Sequence, residues 1–165
     1  MKKAMVSGTF DPFTLGHLDV VKRAARIFDV IYVAILKNAA KKPIFTLEER
    51  KRQIEDALGA CGIDNVKVIS FGGLLVDCCR EYGIDTIVRG IRNSFDVEYE
   101  RALETVNKEL LPDLDTVYFQ ASPQFIHISS SIVREIAGYG RSIRGMVPDV
   151  NIEAIEERML RYERE

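Results

Sequence analysis

The stretch Gly8-Thr9-Phe10-Asp11-Pro12-Phe13-Thr14-Leu15-Gly16-His17 places a hydroxyl, two glycines and an imidazole between an apolar run and a pattern of helical period. Gly8 lets the backbone turn sharply or come close to a ligand. The Thr9 hydroxyl, bare amides, the positive end of a helix and His17 could then converge on a phosphate. The same residues also permit a plainer arrangement, with Asp11-Pro12 as a turn, Thr14 as a helix N-cap and His17 as an ordinary first-turn residue. Loop chemistry alone leaves both open.

Further anion-binding types recur downstream. Lys37, Lys41 and Lys42 follow the second apolar run, where they would be solvated or would meet a phosphate, and residue physics does not choose between Lys41 and Lys42. Arg89 and Arg92 flank Gly90, so two permanently charged planar forks could face phosphate oxygens. Their plainer role is ion pairing with Asp96 and Glu98. Ser129, Ser130 and Ser131 suit a helix start, which is itself an anion site. Ser129 and Ser130 are expected to meet a ligand and Ser131 to cap the helix, while Arg134, one turn on, would either add charge or lie outside.

Short β-rich apolar runs alternate with longer helical patterns, the signature of βα units around a parallel sheet. Strands are expected at Ala4 to Val6, Val30 to Leu36, Val66 to Phe71, Thr86 to Val88 and Thr116 to Phe119. Helices are expected at Leu15 to Phe28, Leu47 to Leu58, Leu74 to Tyr82, Phe95 to Leu111 and Ser131 to Ala137, with a last one from about Ile152. Thr46-Leu47-Glu48-Glu49 reads as a capping box, and Gly59 and Gly83 as left-handed C-caps. Phe95, Tyr99, Leu103, Val106 and Leu110 form one apolar stripe. Ile152, Ile155 and Met159 form another, suited to an interface or to closing the core. Open α/β sheets bind ligands beyond the carboxyl ends of their strands, so the loops carrying these polar residues are where a site belongs.

The chain has 165 residues, 47% of them hydrophobic and 29% charged, which predicts one packed domain across 1–165. A net charge of −2 gives no footprint for nucleic-acid binding, so any anion must be held locally. The longest apolar run, Val30 to Leu36, is too short to span a membrane, and no secretory signal is legible. A cytoplasmic location with reduced, mostly buried cysteines at Cys61, Cys78 and Cys79 is expected. There is no Walker loop, no dinucleotide-binding glycine fingerprint, no nucleophile elbow and no zincin motif, and no clustered metal ligands.

Thr14-Leu15-Gly16-His17 resembles the T/H-x-G-H signature of the nucleotidylyltransferase superfamily, and Ile128-Ser129-Ser130-Ser131-Ile132-Val133-Arg134 resembles its I-S-S-S-x-x-R/K signature. With Gly8 to Pro12, Lys41 to Arg50, Arg89 to Arg92 and Phe95 to Glu100, nearly the whole chain is similar to the bacterial phosphopantetheine adenylyltransferase family. Ser7 stands where that family usually has proline, Leu15 where asparagine is frequent and His127 where an aromatic residue is common, and Asn38-Ala39-Ala40 departs from the usual approach to the lysines.

The resemblance implies a Rossmann-like open parallel five-stranded sheet with helices on both faces, in a homohexamer. It implies adenylyl transfer from ATP to 4'-phosphopantetheine with Mg2+, giving dephospho-coenzyme A and pyrophosphate, and coenzyme A as a feedback ligand. ATP would meet Thr9, Phe10, His17, Gly90, Ile91, Arg92, Glu100 and Phe125, Ile126, His127, Ile128, Ser129, Ser130 and Ser131. Phosphopantetheine would meet Thr9, Lys41, Leu75 and Arg89, and His17, with Lys41 and Arg92, would act in catalysis. Direct in-line attack needs no protein nucleophile and no dedicated metal cage, and a neutral imidazole would suffice at His17. A nicotinamide mononucleotide adenylyltransferase or a cytidylyltransferase of the same superfamily, and a noncatalytic nucleotide-binding or assembly protein, are the alternatives.

Overall fold

Residues 1–37 and 42–162 are described by a computed structural model. Five βα units run along the chain in the order β1 (Lys3–Gly8), α1 (Leu15–Ala24), β2 (Val30–Lys37), α2 (Leu47–Ala60), β3 (Val66–Gly72), α3 (Leu75–Tyr82), β4 (Thr86–Ile91), α4 (Ser94–Leu110), β5 (Asp115–Gln120) and α5 (Ser130–Gly138). A final helix, α6 (Ile152–Tyr162), follows. The strands form one parallel sheet in the order β3-β2-β1-β4-β5, with Val6 aligned to Val33 on one side and to Val88 on the other. The order reverses between β1 and β4, and the loops leaving those two strands diverge there to leave a crevice at the carboxyl edge.

Period-two alternation explains why helices cover both faces. Ala4, Val6, Ile31, Val33 and Ile35 pack with α1 and α2 residues such as Val21, Ile54 and Ala57. Met5, Tyr32 and Ala34, the residues between them, pack with Val76, Cys78 and Cys79 of α3. A third cluster joins Phe45 to Val133 and Ala137 of α5 and Ile155 and Met159 of α6. The α6 stripe therefore closes a core rather than offering an interface.

Several local expectations change. β4 continues through Arg89, Gly90 and Ile91, which the sequence placed in a loop, because β5 pairs with it as far as Ile91. Leu74 is the N-cap of α3. Helix α1 ends at Ala24, four residues short of Phe28. Gly59 lies inside α2, and the left-handed conformation belongs to Gly62, with φ 63°. Gly83 is the left-handed C-cap expected. Cys61 is exposed, while Cys78 and Cys79 are buried and burial pushes their thiols up to about 11 and about 12. The stripe on α4 is not part of the core: Phe95 is 79% exposed, Tyr99 64% and Val106 52%.

Candidate active site

The loop between β1 and α1 builds its own scaffold before it offers anything to a ligand. Thr14 caps α1, its hydroxyl accepting from the His17 amide at 3.3 Å. The Thr14 amide in turn donates to Nδ1 of His17 at 3.0 Å, and the Thr14 hydroxyl lies 3.1 Å from the same nitrogen. An amide can only donate, so Nδ1 carries no proton and the proton of the neutral ring sits on Nε2. Phe10 meets the imidazole edge to face at a centroid distance of 5.1 Å, and Phe13 stacks on it at 5.6 Å. Burial among these rings, reinforced by Arg92 and Arg89, lowers the pKa of His17 from 6.5 to about 4. His17 is thus a neutral hydrogen-bond donor at neutral pH.

Phe10 adopts a left-handed φ of 49°, and its ring lies 3.1 Å from where a Cβ on Gly8 would stand. At Gly90 the demand is stricter, since a Cβ there would meet Cγ2 of Val20 on α1 at 2.9 Å. Glycine at 90 lets the end of β4 lie against α1.

Arg89 is held from two directions. Its Nε and Nη2 donate to the two Glu100 carboxylate oxygens at 2.8 and 2.6 Å, and its Nη1 donates to the Ser7 carbonyl at 2.8 Å and hydroxyl at 3.2 Å. Arg92 grips Asp96 through its backbone amide at 2.9 Å and Nε at 3.1 Å, and its Nη1 reaches the Ile128 carbonyl at 3.4 Å. Asp96 is thus a partner foreseen for these arginines, whereas Glu100 takes the place expected of Glu98.

The serine cluster is assigned differently from expectation. Ser129, not Ser131, is the N-cap of α5, accepting from the Ile132 amide at 3.2 Å. Ser130 donates to the Pro12 carbonyl at 2.8 Å, and Arg134 donates to the Asp11 carbonyl. Arg134 therefore braces the first loop. The sequence missed a second brace: the buried Asp11 carboxylate accepts from the amides of Ile44 at 3.0 Å and Phe45 at 2.9 Å, while Arg50 reaches the Thr9 carbonyl at 2.8 Å. Asp-Pro reads as a turn, and nothing near it in sequence shows that its acceptors serve amides 33 and 34 residues away.

Two cavities open on this edge. One, of about 320 Å³, is lined by Phe10, Thr14, His17, Gly90, Arg92, Phe125, Ile128, Ser129 and Ser130 among others. The other, of about 430 Å³, is lined by Thr9, Leu36, Gly73, Leu74, Leu75, Tyr99, Leu103 and Asn107 among others. Ser7, Gly8, Arg89 and Glu100 border both. Each is large enough to seat a ligand of cofactor size.

A family model described as cytidylyltransferase-like matches residues 5–136. Phosphopantetheine adenylyltransferase of Shouchella clausii is 45% identical over 157 residues, covering 95% of this chain and 98% of that protein. The enzyme of the same name from Dictyoglomus thermophilum is 43% identical over 158 residues, with 96% and 95% coverage. The chain belongs to the phosphopantetheine adenylyltransferase family. The fold is also that of the bifunctional NMN adenylyltransferase/ADP ribose pyrophosphatase of Francisella tularensis, at TM-score 0.72 and 17% identity, covering 99% of this chain and 50% of that one.

Against the residues that family resemblance singled out, the His17 cavity gathers Phe10, His17, Gly90, Arg92, Glu100, Phe125, Ile128, Ser129 and Ser130. Its lining leaves out Ile91, Ile126, His127 and Ser131, and Ile126 is 45% exposed. Thr9 and Leu75 face the second cavity, and Arg89 both. Lys41 lies outside the described residues.

Proposed function

We propose that the protein transfers the adenylyl group of ATP to 4'-phosphopantetheine, releasing pyrophosphate and forming dephospho-coenzyme A, the penultimate step of coenzyme A synthesis. The observation that carries this is the pair of cavities meeting at Ser7, Gly8, Arg89 and Glu100, one carrying His17 and the other an apolar wall of Leu74, Leu75 and Leu103. ATP lies in the first, its triphosphate toward His17, Arg92 and the start of α5. The pantetheine arm lies in the second, its phosphate toward Arg89.

A phosphate oxygen of the acceptor attacks the α-phosphorus of ATP, the bond to the bridging oxygen breaks, and pyrophosphate leaves with that electron pair. No covalent enzyme intermediate forms. Holding the two substrates in line supplies on the order of 7 to 11 kcal/mol of the barrier. His17 donates from Nε2 to a non-bridging oxygen as its charge grows, already oriented by Thr14 and with no proton to lose or gain. The family resemblance gives Lys41 its role toward the acceptor phosphate, and Arg92 lies on the nucleotide side.

Among the described residues no group of three or more His, Cys, Asp or Glu side chains could hold a metal ion. Magnesium brought with ATP would supply charge neutralisation for the leaving pyrophosphate, while Arg92 and His17 are the protein groups that face the triphosphate. Coenzyme A carries both an adenylate and a pantetheine arm, so it competes for both cavities. Phe95, Val106 and Leu110, exposed on α4 outside both cavities, support self-association; the homohexamer itself rests on the family resemblance. None of the helices among the described residues is long and apolar enough to cross a membrane, in keeping with a cytoplasmic enzyme.

The test is pyrophosphate release from ATP and magnesium with 4'-phosphopantetheine, nicotinamide mononucleotide or glycerol 3-phosphate as acceptor. Turnover with phosphopantetheine alone is expected. Turnover with another acceptor reassigns the substrate, and ATP binding without release from any acceptor overturns the enzymatic function.

A further inference from the structure

Arg89 is anchored by four hydrogen bonds before any ligand is considered. A guanidinium has five N–H donors. Four contacts, two to Glu100 and two to Ser7, match four of those donors, and among the described residues no acceptor meets the fifth, on Nη2. The side chains of Arg89 and Glu100 are only 24% and 11% exposed, so the pair is largely shielded from competing water. Ser7, Arg89 and Glu100 border both cavities, at the junction where the attacking phosphate must meet the nucleotide.

We propose that Ser7 and Glu100 are positioning residues that fix the Arg89 fork and leave it one donor for the acceptor phosphate, so that Glu100 acts on the acceptor through Arg89. The two parallel hydrogen bonds to the carboxylate set the plane of the guanidinium, and Ser7 sets its rotation and depth from the opposite side. Glu100 also offsets the arginine's charge while the site is empty, avoiding an unpaired buried cation. This inference rests on the proposed acceptor, and the test separates the two.

The variants are S7A and E100Q, the second nearly isosteric. Kinetics with ATP varied at saturating 4'-phosphopantetheine, and the reverse, give KM for each substrate. Each variant is expected to raise KM for phosphopantetheine about 10-fold, the scale of one lost hydrogen bond to a charged group, while KM for ATP moves less than about 2-fold. In ¹⁵N-labelled protein the Arg89 Nε–H should give a slowly exchanging signal that E100Q brings into fast exchange. An equal rise in both KM values, or a rise for ATP alone, overturns the proposal, as does an Arg89 signal indifferent to E100Q. If wild type turns over no phosphopantetheine, the acceptor is wrong, and the Nε–H signal still decides whether Glu100 holds Arg89. Should E100Q fail to fold, S7A carries the kinetic test.

Discussion

The Thr14 amide lies 3.0 Å from Nδ1 of His17, and that single contact decides which ring nitrogen faces the cavity with a proton. A cationic ring would need a proton on Nδ1, where the amide proton already points. The contact and the burial therefore act in the same direction, holding the imidazole neutral.

The pH dependence follows with a definite sign. His17 takes up a proton near 4 in the folded protein, against 6.5 in an exposed chain, so between those values the unfolded chain binds more protons. The His17 contribution to stability is complete above about 6.5, declines on acidification and is gone below about 4. Melting temperatures of wild type and H17Q, compared from pH 4 to 8, should diverge most at the neutral end. H17A should lose about 10² to 10³ in kcat, and H17Q less, because the glutamine amide nitrogen can stand near Nε2. An activity limb in wild type centred near 6.5 would contradict the neutral-donor role.

Gly90 is constrained by packing as much as by ligand. A Cβ there would approach Val20 Cγ2 to 2.9 Å, so G90A must push α1 from β4 or bend the strand that carries Arg89. A loss of about 1 to 3 kcal/mol in urea denaturation is expected. The double variant G90A/V20A should recover part of it relative to the sum of the single losses. Strict additivity would show that the contact with Val20 is not the cause.

The parts of this site that sequence conveyed were those built from local pattern. The capping geometry at Thr14 and Thr46 and the five strands follow from residues within one turn or one strand of each other. What it hid depends on pairings across the fold. Arg89 ended the apparent strand because a charge ends an apolar run, yet it sits in β4 because β5 pairs alongside it, and Glu100, eleven residues on, returns along α4 to meet its side chain. Three consecutive serines carry no information about which one caps, since their chemistry is identical and only the path of the chain separates them. The α4 period revealed an apolar face without saying what, if anything, covers it.

That face makes its own prediction. Phe95 and Val106 are 79% and 52% exposed and lie outside both cavities, so charging them leaves the site residues in place. F95E/V106E should shift the mass measured by light scattering from an oligomer toward the monomer, with little change in the far-ultraviolet circular dichroism. An unchanged assembly would place the interface elsewhere on the molecule.

Asp11 gives the last prediction, because it is buried at 7% exposure and joins three segments. Its oxygens accept from the Ile44 and Phe45 amides, and Arg134 comes within 3.7 Å of the same carboxylate. In D11N one amide must face an NH₂ group instead of an oxygen, and Arg134 loses its countercharge. Leaving a buried donor unsatisfied costs about 1 to 3 kcal/mol, more where a charge is involved. D11N should therefore lose on the order of 3 kcal/mol in chemical denaturation. Its KM for ATP and for the acceptor should rise together, since the loop that carries Thr9 and the start of α5 are released at once. That joint rise distinguishes Asp11 from Ser7 and Glu100, whose loss is expected to fall on the acceptor alone. A D11N protein as stable as wild type would mean that Arg50, through the Thr9 and Phe45 carbonyls, holds these segments without the carboxylate.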